Sequence, residues 1–183
     1  MHSSPITALC PAAAADARMP VPFTYPYPHP TPQSNPQQHP QPYLRSKGSP
    51  GRGLSLSFTL PGDVRSAFIG RTVVAAALEA HGLTPYVWPA THVVDELVAV
   101  TVRMSPGKEL YVSLRQRDDA VRLLVWDQHP HHTAPDLATL CEKRRRRALW
   151  LLSAVVDDWG GEWGVSEASS PRAGIKSWVM LPR

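Results

Sequence analysis

Twelve of the 20 prolines in this 183-residue chain fall between Pro5 and Pro50, and that crowding limits where a core can form. Proline fixes φ and has no backbone N–H to give to a helix or a ladder. From Met19 to about Gly48 the sequence interleaves Pro with Gln, His and Tyr (PFTYPYPHPTPQSNPQQHPQPY). That composition favours extended polyproline conformations and buries too little to offset the entropy of ordering. None of the six tryptophans lies between Pro5 and Pro50, and the only charged side chains in that stretch are Asp16, Arg18, Arg45 and Lys47. The expectation is a disordered Pro/Gln-rich tail over residues 1–48 and one folded domain over 49–183. A spacer is the bland reading of the tail, and a docking segment for a proline-binding partner is the sharper one.

The formal net charge is +4. Arg18, Arg45, Lys47 and Asp16 account for half of it, so the folded part is close to neutral. A general nucleic-acid surface is therefore not implied. Cys10 and Cys141 lie far apart with no pairing pattern, which fits a reducing cytoplasm. Ala12 to Ala15 is too short and weakly apolar for a signal peptide, and no run approaches the roughly 20 apolar residues of a membrane span. A cytoplasmic protein without a membrane partner is expected.

Order begins at Leu54. Leu54, Leu56, Phe58 and Leu60 alternate with Ser55, Ser57 and Thr59, and Pro61-Gly62 ends the run. Period two with one apolar side predicts a strand with one buried face. Asp63 is placed to cap a helix running to about His81, with Val64, Phe68, Val73, Ala77 and Leu78 as its apolar stripe and Gly82 as its stop. Residues Ala90 to Met104 read as a second helix, apolar almost all round and hence buried. Glu109 to Gln116 and Val121 to Trp126 alternate about a turn at Asp118-Asp119, which predicts a hairpin. A proline-broken loop, DQHPHHTAPD, precedes a third helix from about Leu137 or Lys143 to Asp158. Gly164 to Glu167 and Ile175 to Leu181 read as a closing hairpin around Pro171 and Gly174. The order β-α-α-β-β-α-β-β predicts an α+β two-layer sandwich, with helices on one face of a mostly antiparallel sheet.

From Leu54 to Pro182 these elements resemble, in order and spacing, the GHKL (histidine kinase-like) ATPase fold, and within it the anti-sigma-factor serine kinases. The segments that carry the likeness are LSLSFTLPGDVRSAFIGRTVVAAALEAHGL, HVVDELVAVTVRM, VWDQHPHHTAP, RRRRALWLLSAVVDDWG and GIKSWVMLP. In active relatives the second helix reads E-L-V-x-N-A-x-x-H, its glutamate acting on the attacking group and its asparagine holding Mg²⁺ against the ATP phosphates. Glu96, Leu97 and Val98 match that pattern, so the resemblance implies a vestigial catalytic role for Glu96. Val100 stands at the asparagine position and Met104 at the histidine position. An apolar branched side chain offers no oxygen to a hard cation, so Mg²⁺ binding is in doubt. The family's adenine-reading aspartate corresponds to Asp127, although bulky Gln128, His129, Pro130, His131 and His132 follow it. Its G-R-G-L phosphate box corresponds to Arg146, Arg147, Ala148 and Leu149, where both glycines are lost and Arg147 matches. Gly51-Arg52-Gly53-Leu54 spells the same letters in the wrong context. Gly174, Lys176 and Trp178 match the terminal feature. The resemblance thus implies nucleotide contacts at Asp127, Arg147 and Lys176 and a weakened ATP site.

Lys143 to Arg147 is the strongest charge feature, and at a helix N-terminus it would oppose the macrodipole. Arg144, Arg145 and Arg146 are therefore candidates for binding an acidic partner surface. His129, His131, His132 and Cys141 lack a paired C-x-x-C or H-x₃-H spacing, so no metal site is expected. No G-x-x-x-x-G-K-[ST], G-x-S-x-G or H-E-x-x-H motif occurs. The resulting expectation is a pseudo-kinase regulator that binds a sigma factor or antagonist-like protein, possible as a homodimer. The alternatives are an active serine/threonine kinase of the same fold and a scaffold recruited through the tail.

Overall fold

The computed structural model of the chain describes residues 53–130, 132–168 and 173–183. The tail expected over residues 1–48, His131 and Pro171 lie outside them. Strand β1 (Ser55–Leu60) buries Leu60, half-buries Leu56 and Phe58, and leaves Ser55, Ser57 and Thr59 in solvent, as period two requires. Strands β2 (Leu110–Arg117) and β3 (Ala120–Asp127) form the expected hairpin. Asp118 and Asp119 both have positive φ, 52° and 58°, which gives the twist that a two-residue hairpin turn needs. Strands β4 (Glu162–Glu167) and β5 (Ile175–Pro182) complete an antiparallel five-stranded sheet of order β1-β2-β3-β5-β4.

One row of side chains crosses the sheet at half-buried Leu56 and at Leu114, Leu123 and Val179, which are buried together with Val112, Val125 and Leu181. Helix α1 (Ser66–Ala80), helix α2 (Val87–Met104) and helix α4 (Trp150–Asp158) supply the other side of this core through Val74, Leu78, Val94, Leu97, Leu152 and Val156. Each such aliphatic side chain stabilises the fold by about 1.5–3 kcal/mol relative to exposure. The opposite face of the sheet shows Ser57, Thr59, Arg115 and Arg122 to solvent. The α+β two-layer arrangement expected from the element order is therefore present.

Three expectations need correction. Helix α1 begins at Ser66 rather than at Asp63, whose carboxylate instead accepts the Arg65 N–H at 2.8 Å and pairs with the Arg65 guanidinium at 2.7 Å. Those contacts hold the Asp63 pKa down at about 2. The later start changes the buried stripe, which is Ser66, Gly70, Val74 and Leu78 at intervals of four, while Val64 and Phe68 are 85% and 62% exposed. Small Ser66 and Gly70 let α1 lie close to Leu60, Val94 and Val98, and Phe68 lies on the far side of the helix beneath the Arg71 guanidinium. Helix α2 starts three residues earlier than expected, after a 3₁₀ turn over Thr84–Tyr86. The long third helix is two: helix α3 (Pro135–Ala148) breaks at Leu149 before α4. Leu149 is buried, and the bend turns it into the core. The basic run consequently closes α3 instead of opening a helix, so Arg145, Arg146 and Arg147 complement the dipole.

Candidate functional site

Asp127 ends β3 in the same register row as Val121, Leu123 and Val125, so the alternation that builds the core also carries a carboxylate into it. It is only 1% exposed. Its Oδ1 accepts the His129 backbone N–H at 2.8 Å and lies 3.5 Å from the Ser105 hydroxyl. Its Oδ2 lies 2.7 Å from Nη1 of Arg145, both side chains being about 2% exposed. That contact is short but poorly aligned for a hydrogen bond, so it is chiefly an ion pair. Arg145 comes from α3, whose two buried residues are Cys141 and Arg145. Their spacing of four places them on one helix face. Gly174, with φ of +155°, lies against the Asp127 backbone carbonyl and the Trp126 indole, where a Cβ would overlap both.

His129 is buried beside this pair, and its Nδ1 lies 3.1 Å from the Met104 carbonyl at the end of α2. A carbonyl only accepts, so Nδ1 carries the proton and Nε2 presents a lone pair. Nε2 of His132 faces that lone pair at 3.2 Å. Burial pushes the His129 pKa down, the Met104 carbonyl opposes the shift, and nearby Arg145 adds to it. Cys141 on α3 completes the group, the donor atoms of His129, His132 and Cys141 all lying within 4.8 Å of one another. A cavity of about 170 Å³ opens onto these residues and is also lined by Met104, Arg145 and Glu167. Small-molecule sites commonly enclose ~300–1,000 Å³. A more open groove of about 550 Å³ lies alongside, between Lys108, Tyr111 and Trp126, and shares His129 and Pro130 with the smaller cavity.

The residues expected to touch nucleotide are not gathered together. Lys176 pairs across β3 with Trp126, not Asp127, and strand alternation puts it on the opposite face of the sheet. Arg147 is exposed, two residues and about 200° around α3 from Arg145. Glu96 is half-buried on α2, its pKa raised first by burial and then by Asp95. Val100 is 1% exposed within the core. Of the three arginines expected to meet a partner, Arg145 is a correction: its guanidinium is buried against Asp127. Arg146 is exposed, pairs with Glu142 at 2.9 Å and lies over Trp163, and Arg144 is half-buried.

No protein-family model matches the chain, and no curated protein matches it. The chemistry must be read from the side chains themselves. They offer two imidazoles, a thiol and a neutralised carboxylate, with no glycine-lined phosphate cradle at Arg146–Leu149, which lies within and just after α3. Among the described residues, no helix is long and apolar enough to cross a membrane.

The Asp127–Arg145 pair and the approach of Cys141 to the histidines were not anticipated. A signal for the first existed: Cys141 and Arg145, four apart in an otherwise strongly polar helix, mark the face that must turn inward. The second depends on the path of the loop after β3, which carries no periodicity.

Proposed function

We propose that the chain is a regulatory binding module built on a histidine kinase-like ATPase fold whose nucleotide site has closed, and that it acts by sequestering a protein partner of the transcription-regulatory kind. The observation that carries this reading is the Arg145 guanidinium on the Asp127 carboxylate. An aspartate that reads adenine must leave an oxygen for the exocyclic amine, whereas this one is enclosed and engaged by Arg145, His129 and Ser105. Removing Arg145 to admit a ligand would leave a buried charge uncompensated, at about 3–5 kcal/mol. Enclosed Val100, the separation of Arg147 and Lys176 from Asp127, and the small cavity support the same reading.

A binding role is supported by large apolar side chains in solvent, Val64 just before α1, Phe68 and Ile69 in its first turn, and Trp150 and Leu151 at the start of α4. Clustered exposed apolar side chains mark interaction surfaces. Calorimetric titration of the full chain with ATP and ADP, with and without Mg²⁺, tests the closed site. Absence of heat is expected at concentrations that reveal a dissociation constant of ~100 μM, about −5.5 kcal/mol. Magnesium-dependent heat would overturn the reading and restore the serine/threonine kinase alternative.

A further inference from the structure

We propose that His129, His132 and Cys141 form a zinc site, with its fourth position open to the cavity between the loop after β3 and α3. The two imidazole Nε2 atoms stand 3.2 Å apart. A tetrahedral Zn²⁺ with Zn–N near 2.05 Å holds two nitrogens about 3.3 Å apart, so this edge of the tetrahedron is already formed. The thiol sulfur lies within 4.8 Å of a ring nitrogen of each histidine. Zn–S of about 2.3 Å calls for roughly 3.6 Å, a closure within reach of side-chain rotation.

The support around the donors is that of a metal ligand. His129 Nδ1–H is tied to the Met104 carbonyl, the arrangement that fixes the tautomer and aims Nε2 of a ligating histidine at its metal. Two nitrogens and one thiolate are a donor set of borderline softness, which suits Zn²⁺ and not Mg²⁺ or Ca²⁺. Arg145 is the nearby cation that would oppose a dication, and Asp127 neutralises it. Glu142 and Glu167 add carboxylates to the cavity wall. Ligands from the loop and from α3 would make the ion a clamp across the cavity.

Without a metal, the same geometry reduces to His132 donating its Nε2–H to His129, and the experiment separates the two. The full-length reduced protein, stripped of metal, is titrated with Zn²⁺ by calorimetry and with Co²⁺ by absorption spectroscopy. One equivalent of Zn²⁺ should bind with a micromolar or smaller dissociation constant. Co²⁺ should give tetrahedral d–d bands and a thiolate-to-metal charge-transfer band. Cys141→Ser should abolish that band, and His132→Gln, at a half-buried position, should weaken binding at least tenfold. Both variants are checked for a native unfolding transition. Their exposed counterpart His92→Gln should change nothing. Absence of binding to the folded wild-type chain overturns the proposal. So does binding that neither Cys141→Ser nor His132→Gln alters, since the histidines of residues 1–48 would then hold the ion.

Discussion

Asp127 and Arg145 each carry a full charge in surroundings that exclude water, so each depends on the other. Such a pair contributes little net stability, yet losing one member is costly. Asp127→Asn retains the Oδ1 that accepts the His129 N–H and removes the charge facing Arg145. It should destabilise the protein by about 3–5 kcal/mol, measured by urea denaturation. Asp127→Asn combined with Arg145→Met should recover most of that loss, and a double mutant as unstable as the summed single mutants would show that the two do not act together. Glu96 presents the opposite problem, a half-buried carboxylate beside the like charge of Asp95. Burial and Asp95 raise its pKa, with smaller opposition from Arg103 and His92. The folded state therefore holds this proton more tightly than the unfolded chain, so the group favours folding below about pH 4.5 and ceases to do so as pH rises through its folded value. Glu96→Gln should accordingly raise Tm at pH 7 and leave it unchanged near pH 4, as read by thermal scans at both values.

At the scale of the elements, α1 shows how a helix chooses its buried side. Phe68 is the largest apolar residue of its first turn, yet Gly70 faces α2, because the close approach of two helices favours a small residue at the contact. A Cβ at Gly70 would meet Leu60, Val94 and Val98 at 3.4–3.7 Å, ordinary van der Waals distances. Gly70→Ala should therefore be tolerated and add up to about 1 kcal/mol through helix propensity. Gly70→Leu should lose about 1–3 kcal/mol by forcing the helices apart. Chemical denaturation of the two variants checks both signs. Helix α3 follows a related logic: Arg145, Arg146 and Arg147 lie in its last turn, where the terminal carbonyls welcome positive charge, and of these three Arg145 alone turns inward.

At the scale of the whole molecule, β1 to β5 and the helices between them contain one continuous core among the described residues, beginning at Leu54. A chain of residues 49–183 should thus unfold cooperatively with a Tm within a few degrees of the full-length protein, by calorimetry. A large loss would mean that the first 48 residues contribute to the folded state. The strands, the hairpin at Asp118-Asp119 and the layer order were legible because period-two alternation and turn chemistry are local. Helix α2 was legible because its residues are apolar on nearly every side. The stripe of α1 and the bend at Leu149 were not, since each is set by what a neighbouring element leaves room for. By itself, the sequence determined an α+β chain of alternating strands and apolar-striped helices after Leu54, with an apolar Val100 in the second helix and no glycine over Arg146–Leu149. Only the tertiary structure decided that Asp127 faces Arg145 instead of Lys176 or Arg147, and that Cys141 comes up to His129 and His132. Those meetings join residues 9 to 18 positions apart on a strand end, a loop and a helix, and the distances between such side chains follow from packing, which no local pattern encodes.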